Sequence, residues 1–189
     1  MARQKKFTTE ELYVQTKHLL LEHGYDGFSF SQLAEKLNVA RSTIYKYFEN
    51  KEELATAYML YEMNKFLKDL ETIHDYSTFN DQLDYLLDLM FDQPEIQQLI
   101  LIGQSIPIEE SSRARKNHEQ LEKLHLDMYE QLDGFVKLGK ENGHIRPQIP
   151  NSLVLGYIFQ SIAIPNHEDI PYREWAESIK DVIRHGLFK

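Results

Sequence analysis

Apolar residues recur three or four positions apart along almost the whole chain, and two-residue alternation never lasts, so the pattern is helical throughout. Thr8 or Thr9, followed by Glu10 and Glu11, predicts a helix start, and Gly24 predicts its stop. Leu12, Gln15, Thr16, Leu19, Leu20 and His23 share one face of that helix. Ser29 or Ser31 caps a second helix that ends near Leu37, and a third, short one spans about Arg41 to Phe48. The spacing of Leu54, Tyr58, Met59, Met63, Phe66, Leu67 and Leu70 predicts a long helix from Lys51 to about Ile73. A helix from Tyr76 to Phe91 follows, with Phe79, Leu83, Leu86, Leu87 and Met90 as its stripe; Pro94 then opens one carrying Ile96, Leu99, Ile100 and Ile102. Past the loop "SIPIEESS", a helix is expected from about Arg113 to Glu141, stopped by Gly143, Pro147 and Pro150. Asn151 or Ser152 caps the block Leu153 to Ile164, and Tyr172 to Leu187 forms the last helix. The expected fold class is all-α, with about nine helices and no sheet.

Composition narrows the class. The chain has 189 residues and no cysteine, which removes disulfides, thiolate metal sites and cysteine nucleophiles together and suits a reducing, cytoplasmic setting. The start "MARQKKFTTEEL" has basic residues with no apolar run behind them, unlike a signal peptide. The longest apolar block, "LVLGYIFQSIAI", falls short of the roughly 20 residues a membrane span needs. Net charge is −9 but unevenly spread: residues 1–51 carry 8 basic and 6 acidic side chains, residues 52–189 carry 13 and 24. Only the first segment suits a polyanion. The shift in charge near Lys51 places the expected domain boundary there, between residues 1–50 and residues 51–189.

The segment Leu33 to Leu54 explains the charge asymmetry. Two short helices that cross steeply need a small residue at the contact, and Ala34 supplies it. Their turn needs a residue that tolerates a left-handed backbone, usually Gly and sometimes Asn; Asn38 stands there. Ile44 is placed to anchor the second helix in the core. That leaves Arg41, Ser42, Thr43, Tyr45, Lys46 and Tyr47 as donors for phosphates and base edges, the arrangement of a helix-turn-helix reader.

The run "GYDGFSFSQLAEKLNVARSTIYKYFENKEEL" from Gly24 resembles the DNA-binding region of the TetR family of bacterial repressors. Gly24-Tyr25 closes the first helix, Ser29 and Ser31 enter the second, and Tyr45, Phe48, Lys51, Glu52 and Leu54 match Tyr-x-x-Phe followed by Lys-Glu-x-Leu. The likeness covers Thr8 to Leu54, and Gly143 to Pro147 matches a "Gly-x-x-Arg-Pro" turn; Asn38 departs from the commoner Gly. The resemblance implies that Arg41 and Ser42 face bases or phosphates from the start of the recognition helix. It implies that Tyr45 and Tyr47 reach phosphates, that Lys46 meets phosphate or guanine, and that Ser29, Ser31 and Lys51 hold phosphates at helix N-termini. Arg3, Lys5 and Lys6 would form an arm adding phosphate or minor-groove contacts.

A single recognition helix reads a few base pairs, so two of them, about 34 Å apart, are expected to read a palindrome as a homodimer. The block from Leu153 is apolar around its circumference and needs a partner on one side. The expected interface is Leu153, Gly156, Tyr157, Gln160 and Ile164 with Trp175, Ile179 and Ile183; the resemblance implies a four-helix interface of these two helices. It also implies a pocket for a small-molecule effector, with Phe66, Tyr85, Gln104, His125, Met128, Tyr129 and Phe159 as candidate lining. His118 and His125 stand about 10.5 Å apart along one helix, too far to share an ion, though either pairs with Glu122. No metal and no cofactor is expected.

The resulting expectation is a ligand-responsive transcriptional regulator, a repressor by family habit, released from a palindromic operator by its effector. There is no Gly-rich phosphate loop, Gly-x-Ser-x-Gly or His-Glu-x-x-His, so an enzyme is not expected. The rival reading is a dimeric DNA-binding adaptor without a ligand, its C-terminal domain serving only dimerisation or protein contacts.

Overall fold

The computed structural model describes residues 7–108 and 111–186. All regular structure among them is helical: α1 (Thr9–Gly27), α2 (Phe30–Lys36), α3 (Arg41–Ile44), α4 (Lys51–Leu70), α5 (Phe79–Phe91), α6 (Ile96–Ser105), α7 (Ser112–Gln131), α8 (Asp133–Glu141), α9 (Asn151–Gln160) and α10 (Tyr172–His185). Short 3₁₀ turns follow α4 (Glu71–Asp75) and α9 (Ser161–Ala163). By packing, the chain forms two compact units. One comprises the chain up to Asn64 together with Gln98–Leu124; the other comprises Lys65–Gln97 together with the chain from His125 onward.

In the first unit, α1 opens with a reciprocal cap. The Glu11 amide donates to Thr8 Oγ1 at 3.0 Å and the Thr8 amide to Glu11 Oε2 at 2.6 Å, pairing two donors the helix end would otherwise orphan. Gly24 interrupts α1 at φ +66°, a conformation only glycine adopts freely, and one further turn runs to Gly27. Leu12, Thr16, Leu19 and Leu20 are buried as expected, whereas His23 is exposed. Ser29 caps α2, and Ser31 lies exposed within it. One core holds Leu19, Leu20, Phe28, Leu33, Ile44 and Leu54 together with Leu99, Ile102 and Ile106 from α6 and its end. Gln98 of α6 donates to the Leu21 carbonyl at 2.9 Å, fixing α6 beside α1.

In the second unit, Thr78 caps α5, whose Leu83, Leu86, Leu87 and Met90 are buried. Phe79 stacks on Phe135 of α8 at 5.0 Å and on His144 at 4.9 Å. Gly139 permits this: a Cβ there would lie 2.5 Å from the Phe79 ring. Lys180 of α10 reaches Asp88 of α5 at 2.8 Å, and Arg184 reaches Asp84 at 2.8 Å. Burial works against the Lys180 charge, but the hydrogen bonds and charges of Asp88 and Glu177 outweigh it and hold the ammonium above the ordinary lysine range.

Several element ends differ from the sequence reading. The helix expected over Arg113–Glu141 is two, α7 and α8, with Leu132 between them at φ −89°, ψ 0°. Its backbone bonds to Met128 and Val136 persist, so the ladder bends without breaking. α5 begins at Phe79 rather than Tyr76, because Thr78 takes the cap. Asn151 does not cap α9: its side chain donates to Asp133 and accepts from Lys140, both at 2.6 Å, and the Pro150 carbonyl starts the helix instead. The third helix is α only over Arg41–Ile44; Lys46 and Tyr47 bond three residues back, a tighter 3₁₀ winding.

Candidate nucleic-acid interface

The turn between α2 and α3 is built as the residue types demand. Asn38 sits at φ +51°, and its amide donates to the Glu35 carbonyl while that of Val39 reaches Ala34 at 2.9 Å. Ala34 is buried at the helix crossing and Ile44 has no exposed surface. With Ile44 pinned, Arg41, Ser42, Tyr45, Lys46 and Tyr47 are exposed and Thr43 is half-buried. The structure therefore brings six of the sequence-selected donors onto one short segment, with Ser31 exposed on the neighbouring helix. Arg3, Lys5 and Lys6 lie outside the described residues.

Local contacts pre-order this surface. Arg41 donates to the Tyr45 hydroxyl at 2.7 Å and its guanidinium lies 5.2 Å from that ring. Tyr45 packs edge-on against Phe30 at 5.0 Å, and Tyr47 against Phe7 at 5.6 Å. Both rings are held by their bodies while their outer edges remain at the surface. Ser29 donates to Gln32 Oε1 at 2.6 Å and also accepts the Gln32 amide, so its hydroxyl serves the helix start.

Lys51 is placed differently from the phosphate-facing role the resemblance implies. Its ammonium donates to the carbonyls of Tyr25 at 3.0 Å and Asp26 at 3.2 Å, and lies 4.4 Å from the centre of the Tyr25 ring. The physical reason is the kink at Gly24: it turns the last carbonyls of α1 toward the start of α4, and a cation there satisfies them. Next to it, the Tyr25 hydroxyl donates to Glu52 at 2.6 Å, and Asn50 caps α4 by accepting the Glu53 amide at 2.9 Å. The Lys51-Glu52 pair at the start of α4 thus clamps the end of α1.

Sequence reading missed a second cluster. Glu53 is buried, and its carboxylate accepts from the Glu49 amide at 3.1 Å and from Ser111 at 3.0 Å, with Arg113 at 3.7 Å. Asn117 donates to Thr56 at 3.0 Å one turn further along. Burial raises the Tyr13 hydroxyl above its ordinary range, the Arg113 charge opposes this, and Tyr61 adds to it. The only hint in the sequence is a Glu beside the Lys-Glu pair, which reads equally as a solvated helix face.

The expected pocket residues divide. Gln104 belongs to the first packing unit and is exposed; the remaining six belong to the second. Met128 is buried, and Tyr129 lies 5.8 Å from Phe159, with its hydroxyl within 3.7 Å of where a Cβ of Gly156 would be. Phe66 is half-buried. Tyr85 spends its hydroxyl on the Asp69 carbonyl and stacks on Tyr76, and His125 is exposed. The Tyr85 hydroxyl thus serves the end of α4. A residue not foreseen, Gln131, has a buried amide oxygen with no hydrogen-bond partner among the described residues. No group of three or more metal-ligating side chains occurs among them; His118 pairs with Glu122 at 3.5 Å.

The expected dimer face also divides. Leu153, Tyr157 and Ile164 are 61%, 59% and 44% exposed, and Gln160 lies on the same exposed side. Gly156, Trp175 and Ile183 are half-buried. Ile179, expected at the interface, is buried inside its own unit, because the Lys180 and Arg184 ties turn that side of α10 onto α5.

Fold and surface together define a helix-turn-helix unit with an exposed polar segment after its turn. Residues 12–58 match the family model described as bacterial regulatory proteins, tetR family. Over those residues the chain is similar to the TetR family of bacterial transcriptional regulators. It is 24% identical over 162 residues to a fatty acid metabolism regulator protein of Bacillus subtilis, covering 85% of this chain and 82% of that one. In fold it is similar to the transcriptional regulator FadR from Bacillus subtilis in complex with stearoyl-CoA, at TM-score 0.71 and 20% identity over 96% of this chain and all of that one. It is similar also to AibR in complex with isovaleryl coenzyme A and operator DNA, at TM-score 0.69 and 15% identity over 98% of this chain and 100% of that one.

Proposed function

We propose that this regulator acts as a homodimeric repressor on a palindromic operator and is released by an acyl-thioester effector. The observation that carries the DNA half is the exposed row Arg41, Ser42, Tyr45, Lys46 and Tyr47, with half-buried Thr43 among them, on a segment pinned by fully buried Ile44 and turned by left-handed Asn38. Ser29 caps the adjoining α2, on which Ser31 is exposed, and Lys51 ties the start of α4 to the end of α1. Residues 1–50 are the reading domain and residues 51–189 the effector and dimerisation domain.

Dimerisation is supported by exposed Leu153 and Tyr157 on α9 and Ile164 just beyond the following 3₁₀ turn, with Gly156 allowing close approach. Large apolar groups exposed on one face in this way mark an association surface. The effector class is supported by two relatives of the same fold that carry acyl coenzyme A ligands, and by the fatty acid regulator among the sequence relatives. Within the second unit, Met128, Tyr129 and Phe159 supply apolar surface, and the unpaired Gln131 amide oxygen offers an acceptor for one donor of a ligand. α4 and α7 each run from one packing unit into the other along the chain, so a ligand that repositions them moves the reading domain. The protein is read as a cytoplasmic non-enzyme; among the described residues no helix is long and apolar enough to cross a membrane.

The test has two parts. Selection from random duplexes followed by gel shift should yield a palindromic consensus. Addition of stearoyl-CoA or isovaleryl-CoA should raise the melting temperature of the protein and weaken the shift, since effector and DNA must oppose each other reciprocally. A duplex bound tightly with no response to any acyl-CoA favours the ligand-free adaptor. No duplex bound at low salt refutes the DNA reading itself.

A further inference from the structure

Arg113, the second residue of α7, is exposed over half its side chain, yet it makes three contacts that converge on the recognition segment. Its Nη1 donates to the Tyr47 carbonyl at 2.8 Å, and its guanidinium lies 5.1 Å from the centre of the Phe48 ring. The same nitrogen stands 3.7 Å from Glu53 Oε2. Glu53 is buried at the start of α4 and also holds the Glu49 amide and the Ser111 hydroxyl. Ser111 in turn accepts the Ala114 amide at 3.2 Å, capping α7. Three chain segments therefore meet at one charge pair: the end of the recognition turn, the first turn of α4 and the first turn of α7.

We infer that Arg113 is a positioning residue, a strut through which the start of α7 sets the pitch of the recognition segment. Lys46 and Tyr47 follow the four-residue α3 in a 3₁₀ winding, which is intrinsically weak, so an outside donor on the Tyr47 carbonyl helps fix where the segment ends. A planar guanidinium serves a carbonyl, a carboxylate and a ring face at once, which a lysine ammonium cannot. The same α7 carries Met128 and Tyr129 at its other end. A ligand-driven shift or rotation of α7 therefore pulls directly on the segment that reads DNA, in addition to any movement of α4. This inference rests on the reading of residues 41–47 as the DNA-contacting segment.

Hydrogen exchange on the full chain separates the strut from general stabilisation. In free Arg113→Gln, amides of 45–49 and 114–117 should exchange about tenfold faster, while those of α5 and α10 keep their wild-type rates. Arg113→Lys should behave like Arg113→Gln at 45–49. Asn117→Ala, which removes the neighbouring tie to Thr56, should leave 45–49 unchanged. Equal exchange at 45–49 in Arg113→Gln and wild type overturns the inference, as does a uniform acceleration across the chain. With the duplex selected by the wild type, binding should slow exchange at 114–117 in the wild type and not in Arg113→Gln; slowing in both overturns the transmission step. If the wild type selects no duplex, the DNA reading fails, and the free-protein arm alone decides whether Arg113 positions the segment.

Discussion

Lys51 offers a clean contrast between two roles for one cation. If it is a clamp on α1, replacing it with the near-isosteric Met removes charged hydrogen bonds to the Tyr25 and Asp26 carbonyls at 3.0 and 3.2 Å and a cation–π contact at 4.4 Å. Hydrogen bonds from a charged donor contribute about 1.5–3 kcal/mol and a partly exposed cation–π contact about 0.5–1 kcal/mol. These share one ammonium and are not additive, so Lys51→Met should cost about 2–3 kcal/mol. For a chain of this size that is a fall in melting temperature of roughly 4–12 °C. DNA affinity measured against salt should keep its wild-type slope, because no phosphate contact is lost. A phosphate ligand behaves the other way: each one lost flattens the log–log slope by about 0.9 with little effect on melting. An unchanged melting temperature together with a slope flatter by about 0.9 would refute the clamp.

Other outcomes follow from the same geometry. Ile44→Ala empties a fully buried site and should cost about 2–5 kcal/mol in urea unfolding, abolishing DNA binding with it. Asn38→Val forces a β-branched residue to φ +51° and should destabilise by about 1–2 kcal/mol or more, whereas Asn38→Gly should be tolerated. Lys180 titrates above the unfolded lysine value, so its contribution is complete below about pH 10 and is lost as pH rises through the higher folded value; alkaline melting curves of wild type and Lys180→Met should converge there. The Tyr13 hydroxyl is raised by burial and lowered in part by Arg113, so Arg113→Gln should push its alkaline absorbance transition higher still. Leu153→Glu with Tyr157→Glu should yield monomers in sedimentation while leaving the far-ultraviolet spectrum of the helices intact.

The helix-turn-helix geometry was largely legible in the sequence because it depends on local rules. A small residue at a helix crossing, a left-handed turn residue four positions on, and one aliphatic anchor are set by spacing alone, and Ala34, Asn38 and Ile44 took those places. The helical period likewise exposed the segment from Arg41, since pinning Ile44 fixes where its neighbours point. Helix ends were less legible wherever two side chains competed for one cap. Asn151 reads as a cap until Asp133 and Lys140 claim its amide, and those residues lie 18 and 11 positions away.

The partners of charged groups were decided only by tertiary structure. Lys51 carries the same charge whether it faces a phosphate or a carbonyl; the kink at Gly24 brings the α1 carbonyls within its reach. Arg113 and Glu53 stand 60 positions apart in sequence, and nothing in their spacing links them. Periodicity states which side of a helix is buried, because burial follows from the local winding of one segment. It cannot state what that side meets, because ion pairs and ring contacts act over a few ångströms and depend on how distant segments pack. The sequence by itself thus determined the helical class and the helix-turn-helix geometry, and packing decided which groups Lys51 and Arg113 meet.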